Sequence, residues 1–507
     1  MKQRLTYILK DASTFDPSQL KVTKDSIEVT GLDAAKEQHL TFGFDELPPK
    51  IWRVLKQCHE LHIRWAAPVP YNAISPFLSR VSSGLHVFFT PRRETPANLL
   101  CPMLRNFDET LKCESPEKTF VPQRVLSERF STSSSFSYYT PTKSLDSLES
   151  YIFVQFCDIL DLHCQEDVYQ LGSARYVDID FDVISNTLII RAYWEPSHKP
   201  GGWTEITRLQ KGSTLEVGVL NNEKPDEPEE LKLGGFLTVV GSDSKPKATL
   251  FSFPARYHPL PNVSSTREIE YKVAFRQPTG MHPIMEINLE PKSLLAPSES
   301  CALHTYLTLP SYIFIDKYQF NDDLFLASQN LRRLHSINGE TDLEAPDWVI
   351  DKWGSNALFE LALPSTPAEL SARWTVTIPL HLRYLKPAHN SSGIDAVRVP
   401  WPAVFWACEA EEGLKMSTSP FDRVNLGYDS LFGPKTMFYP IPPGTAGWWN
   451  PLVETLSVPV LDLDRSSWVE FGTIAAISLG TLWICWKLFA AVMGGDKGKA
   501  SRGKKRQ

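Results

Sequence analysis

The sequence has no G-x-S-x-G elbow, no Walker phosphate loop and no G-x-G-x-x-G turn, so the common local signatures of hydrolase and nucleotide chemistry are missing. Its opening, MKQRLTYILKDAST, lacks an apolar stretch of the 7–15 residues that a signal peptide needs. Only eight cysteines occur in 507 residues, which excludes a miniature disulfide scaffold. Positive charge is scarce outside the tail: residues 471–507 hold seven Lys/Arg and one acid, leaving the first 470 with 45 basic and 58 acidic side chains. A surface that acidic repels phosphate backbones and argues against nucleic-acid binding. Long hydrophobic runs are also absent, with one exception.

That exception is Phe471–Met493, 23 residues carrying a single charge, Lys487. As a helix it spans about 34 Å at 1.5 Å per residue, enough to cross a bilayer. A buried core helix would keep a polar stripe, and none precedes Lys487, which can snorkel toward one headgroup layer. Lys497, Lys499, Arg502, Lys504, Lys505 and Arg506 follow the span, and Asp462, Asp464 and Glu470 precede it. The positive-inside rule then places the C-terminus in the cytosol and the large N-terminal part in a lumen. Lys504 and Lys505 near the end resemble a dilysine signal for retrieval to the endoplasmic reticulum, although a plain basic flank reads the same way. With no signal peptide, the helix itself directs translocation, or the N-terminal part stays in the cytosol. Two sequons, at Asn262 and Asn390, fit lumenal exposure.

Within the span Gly472, Ala476 and Gly480 recur at i, i+4 and i+8. Such a stripe lets another helix backbone approach closely, although small residues are common in spans.

With 42% apolar residues and this length, about three domains with their own cores are expected. A Ser-rich stretch from Ser127 to Ser147 supplies one boundary, giving an N-terminal β-rich domain (1–122), a linker or loop (123–150), a middle β-rich domain (151–270), a lumenal β domain (271–468), the transmembrane helix (469–493) and a basic cytosolic tail (494–507). Period-2 alternation dominates in 61–65, 176–183 and 374–384, and helical periodicity is scarce before the span. The fold class expected is mainly β: sandwich-like antiparallel β domains in the lumen with one C-terminal transmembrane helix. In 374–384, Pro379 cannot donate to a ladder, so this strand is an edge or carries a bulge.

Chemistry is harder to find. Asp178-Ile179-Asp180 matches the D-x-D with which many glycosyltransferases hold a metal and a sugar nucleotide. The two aspartates share a face with Asp182 on an alternating strand, however, and read as a solvated face. His59-Glu60-x-His62 has the wrong spacing for a zincin helix, and on a strand its imidazoles point apart. Cys101/Cys113 and Cys157/Cys164 could be local bridges, but seven cysteines outside the span cannot all pair. No catalytic set, cofactor site or metal site is expected.

From about Arg276 to the membrane helix the chain resembles the PIG-X family, the non-catalytic subunit of glycosylphosphatidylinositol (GPI) mannosyltransferase I, especially its long fungal form. The resemblance rests on Pro278-Thr279-Gly280-Met281-His282-Pro283, the run from Leu309 to Tyr318, Asp342-Leu343-Glu344-Ala345-Pro346, Pro379 to Tyr384 with Pro387, and Val404-Phe405-Trp406-Ala407-Cys408, in that order and before one span. It covers roughly 220 residues. The first 270 have no counterpart in the short animal members, although the opening and the missing signal peptide look like the fungal form.

The resemblance implies a type III single-pass protein of the endoplasmic reticulum without catalysis of its own. It would stabilise a multi-spanning PIG-M-like subunit, which transfers the first mannose to the GPI precursor. The partner contact is expected at Gly472, Ala476 and Gly480 and on one lumenal β face, for which His381 and Arg383 are candidates because they project from the polar side of an edge strand. Of the motif residues, Asp316 and Tyr318 are read as fixing a turn, Tyr384 as structural, and Cys408 as buried or bridged, with Cys301 as candidate partner. Two other functions compete. One is an enzyme using Asp178 and Asp180; the other is a general lumenal folding factor or cargo chaperone, which would engage many unrelated clients.

Overall fold

The computed structural model describes residues 1–11, 15–92, 97–108, 111–123, 134–142, 144–157, 162–196, 201–243, 245–261, 269–365, 372–390, 392–410, 416, 419–444 and 451–495. Two compact units result: Met1–Arg383 with Val397–Leu456, and Tyr384–Ala396 with Ser457–Gln507. The protein is mainly β, as its alternating patterns imply, with several antiparallel sheets and one long apolar helix at the C-terminal end.

The first unit is built on an eleven-stranded sheet. Its spatial order is Lys247–Pro254, Glu230–Val239, Thr214–Glu223, Lys2–Leu9, Ala34–Gly43, Thr187–Trp194, Tyr176–Asp182, Cys58–Ala66, Gly84–Pro91, Ser135–Thr140 and Val121–Gln123. Strands from 1–122 and from 151–270 thus alternate within one sheet, and the expected division into N-terminal and middle domains is replaced by a single layer. Lys2–Leu9 pairs in parallel with Thr214–Glu223 across more than 200 residues, whereas its other neighbour, Ala34–Gly43, is antiparallel. The Ser-rich segment is no bare linker either: within it lie the sheet strand Ser135–Thr140 and the start of the helix Asp146–Phe156.

Both faces of this sheet are covered, but not by a second sheet alone. Val177, Ile179 and Phe181 pack with Leu55, Leu100, Leu104, Leu148 and Ile152, residues of three short helices. On the opposite face Tyr176 and Tyr193 pack with Phe77 and Phe421. Helices therefore cap one side, where the alternation by itself implied a sandwich.

A five-stranded sheet follows, ordered Leu331–Gly339, Gly354–Leu361, Ala302–Pro310, Ala403–Glu409 and Thr436–Pro440, together with a three-stranded sheet of Tyr271–Phe275, Ile284–Leu289 and Trp374–Pro379. Trp374–Pro379 is an edge strand, as Pro379 requires, with Val376 and Ile378 buried. These sheets are not a separate domain. Trp353 joins the core of the eleven-stranded sheet and its Nε1 donates to the Ser137 carbonyl at 2.9 Å. Phe421 lies in the core of the eleven-stranded sheet, and Leu426 and Tyr428 pack with Tyr306 and Phe405 of the five-stranded one.

Three disulfides form: Cys101–Cys113, Cys157–Cys164 and Cys301–Cys408. Cys58 is a buried free thiol whose pKa burial pushes up to about 12, and Cys485 lies in the helix. Cys301–Cys408 closes the largest loop, with a sequence separation of 107. Replacing both cysteines with serine releases that loop in the unfolded chain, and about 2–4 kcal/mol of stability should be lost. A thermal melt of the detergent-solubilised protein, with and without reductant, checks this: reduction should cost the wild type more stability than the double variant, which keeps Cys101–Cys113 and Cys157–Cys164.

Candidate functional site

The second unit carries the feature most distinct from an ordinary soluble domain. Leu463–Met493 is long and apolar enough to cross a membrane, and none of it is buried. A core helix of the same composition would be covered; here Ile477, Leu479, Leu482, Trp483 and Phe489 are all more than half exposed. The helix Ser466–Gly495 has 30 residues, about 45 Å at 1.5 Å per residue. Trp468 lies near one end, and at the other the Lys487 ammonium sits over Trp483 and Trp486, 5.8 and 5.3 Å from their ring centres. Aromatic residues toward both ends with a lysine beside one set are what headgroup layers favour. Among the described residues this one C-terminal apolar helix fits a single-pass membrane protein.

Asp462 caps the turn that starts the helix, its Oδ1 accepting from the Asp464 N–H at 3.0 Å. Asp464 in turn accepts from the Asn390 backbone N–H at 2.9 Å and pairs with the His389 ring at 2.9 Å. Asn390 is exposed, at φ 51° in a turn that asparagine tolerates. Gly472, Ala476 and Gly480 are exposed, and a methyl added at either glycine would meet nothing within 4 Å. The stripe is available along its whole length. Asn262, Lys504 and Lys505 lie outside the described residues.

The proposed lumenal face divides. His381 is half-buried, its ring stacked on Phe314 at 5.4 Å and edge-on to His282 at 4.8 Å. Arg383 is only 2% exposed and does not form part of an open face. Its guanidinium lies 4.0 Å from the Phe314 ring centre and donates to the carbonyls of Ser311, Asp342 and Ala345 at 3.0, 2.5 and 2.7 Å. The alternation of the strand gave the polar side correctly, but loop 340–346 covers it. Arg383→Lys should cost about 1–3 kcal/mol, because one ammonium cannot serve three carbonyls fixed for a planar fork; the thermal midpoint of the solubilised variant measures it. Asp316 shapes a turn by accepting from the Tyr318 N–H at 2.9 Å, and Tyr318 and Tyr384 are exposed. Cys408 is buried and bridged to Cys301.

Asp178 and Asp180 do not form a solvated face, nor an open metal pair. Asp178 is 4% exposed and holds Arg64 through two bonds, Nε at 2.6 Å and Nη2 at 2.8 Å. Arg423 adds a third contact at 3.2 Å and also binds the fully buried Glu37. Asp180 pairs with His62 at 2.9 Å and with Arg191. Burial alone would raise the Asp180 pKa, but Arg191 and His62 hold it well below the carboxylate range. Both carboxylates are occupied by cations of this chain. Nothing local in the sequence marks Arg423, which reaches Asp178 across 245 residues.

The similarity to known proteins now has a structure to attach to. The PIG-X / PBN1 family profile matches residues 278–489. The protein named Protein pbn1 of Emericella nidulans is 48% identical over 510 residues, covering 96% of this chain and 95% of its own. That of Aspergillus fumigatus is 45% identical over 524 residues, 100% of this chain and 98% of its own. That of Neurospora crassa is 40% identical over 499 residues, 97% and 96% respectively. These alignments also take in most of the first 270 residues. With such identity along nearly its whole length and its one exposed apolar helix in the expected place, the chain belongs to the PIG-X / PBN1 family.

Proposed function

We propose that this chain acts in GPI-anchor biosynthesis as the non-catalytic subunit of the endoplasmic-reticulum mannosyltransferase that adds the first mannose to the GPI precursor. It holds and stabilises the multi-spanning catalytic subunit, a PIG-M-like protein, and binds no sugar donor itself. The single observation that carries this reading is a wholly exposed apolar helix, with a free small-residue stripe, in a chain of this family. A dolichol-linked substrate needs a cavity among several membrane helices, which one span cannot build, whereas one span with a flat side can pack against such a bundle.

Three disulfides suit the oxidising lumen, so the strand-built part lies there and the basic tail is cytosolic. Asn390, exposed in its turn, is the better supported acceptor for an N-glycan, Asn262 the second; Lys504 and Lys505 serve retrieval. On the lumenal side His381 stays a partner candidate and Arg383 does not.

Detergent extraction and affinity purification through a C-terminal tag test the assignment. The expected co-purifying protein is one multi-spanning mannosyltransferase, and Ala476→Leu, which fills the flat side of the helix, should reduce its recovery. Recovery of many unrelated secretory clients without a mannosyltransferase would favour the folding-factor reading instead.

A further inference from the structure

One group of side chains is used neither by the membrane helix nor by the buried charges. It lies at the edge of the five-stranded sheet. His304, on Ala302–Pro310, stands directly opposite Glu360 on Gly354–Leu361. The edge strand Leu331–Gly339 pairs with Gly354–Leu361 irregularly: Leu331 and Arg333 oppose Leu361 and Glu360, and Leu334 and Ser336 oppose Phe359 and Leu358. Arg332 and His335 are therefore the extra residues of two bulges. A bulge re-aims a side chain, and both of these reach Glu360. Arg332 Nη1 lies 2.9 Å from its Oε1, and His335 Nε2 lies 2.8 Å from its Oε2.

We propose that His304, His335 and Glu360 form a binding site for a divalent transition metal of the zinc class. One donor atom from each of the three falls within 4.8 Å of the others. Two imidazoles and a carboxylate are a donor set that zinc accepts at about 2.0–2.2 Å, so closing the group around an ion takes movements of about 1 Å. His335 is the exposed member and supplies that movement. His304 is held in place: its Nδ1 lies 3.0 Å from the Ala302 carbonyl oxygen, which leaves Nε2 as the ring atom for a ligand. That arrangement of a ligating histidine with its second nitrogen on a carbonyl fixes the tautomer a metal requires.

The surroundings fit the same class of ion. Phe405 stacks on the His304 ring at 5.9 Å and Phe432 meets it edge-on at 5.0 Å, an apolar backing. Arg332 occupies one oxygen of Glu360 and orients the other toward the imidazoles. Calcium and magnesium prefer oxygen ligands throughout and are disfavoured here. With three protein ligands the fourth position is left to water.

The test uses the full-length protein in detergent, stripped with a chelator and carrying a tag without histidines. Titration with Zn²⁺ against a chromogenic competitor should give one ion per chain, and Co²⁺ should give the visible absorption of a four-coordinate site. His335→Ala and Glu360→Gln should each weaken Zn²⁺ binding at least 10-fold, while His389→Ala, on the other unit, leaves it unchanged. His335 is exposed, so its variant should keep the apo thermal midpoint of the wild type. Absence of stoichiometric Zn²⁺ binding by the folded wild type overturns the proposal, as does binding that survives His335→Ala. Neither result bears on capture of the mannosyltransferase.

Discussion

Arginine at both Leu479 and Leu482 is expected to abolish membrane integration of this chain. The two leucines lie near the middle of the apolar helix and are 67% and 65% exposed, so no protein surface shelters a charge placed there. Each arginine at a helix centre costs about 2.5–3.5 kcal/mol on the insertion scale. The pair costs about 5–7 kcal/mol, which is roughly four to five powers of ten in the partition between bilayer and water. After alkaline washing and ultracentrifugation the wild type should remain in the membrane pellet and the double variant in the supernatant. A double variant that stays in the pellet would show that something other than this helix anchors the protein.

The second large effect is expected at Arg423. Its guanidinium is almost wholly buried and is shared between Glu37 and Asp178, both in the centre of the eleven-stranded sheet. Removing one partner of a buried ion pair while leaving the other is typically worth about 3–5 kcal/mol, a large part of the 5–15 kcal/mol by which domains are stable. Arg423→Ala should therefore lower the thermal midpoint of the solubilised protein strongly. Adding Glu37→Gln removes the stranded charge and should restore part of the loss. If the single variant melts like the wild type, the network is not what ties segment 419–429 to the sheet. Asp178→Asn and Asp180→Asn separate this structural role from catalysis: stability should fall, and a folded, fully stable variant without activity would revive the enzyme reading.

Much of the local structure was legible. Alternation in 176–183 and 374–384 became strands, proline marked a sheet edge, and one uninterrupted apolar run became the exposed helix. The two short-range cysteine pairs formed as spacing allowed. What could not be read was everything set by distant pairing. A period of two tells which residues share a face and says nothing about what covers it, so Asp178 and Arg383 were placed on open faces that residues far away in the chain close. The same limit hid the interleaving of strands from 1–122 and 151–270. Nothing local marks Lys2–Leu9 as the neighbour of Thr214–Glu223. The histidine pair at the five-stranded edge escaped for a related reason, since bulges rather than alternation aim His335 at Glu360.

The proposed role requires the apolar helix to anchor the chain and to pack against a partner. The chain's buried Glu37 and Asp178 and half-buried Asp180 are held by Arg423, Arg64 and Arg191, and the flat side of the apolar helix is exposed. Rapid, induced degradation of this chain in living cells tests the stabilising role most directly, with the abundance of the multi-spanning mannosyltransferase and the singly mannosylated GPI precursor followed in parallel. Both should decline together, the enzyme first or at the same time. An enzyme that persists at its normal level while the mannosylated precursor disappears would contradict the account.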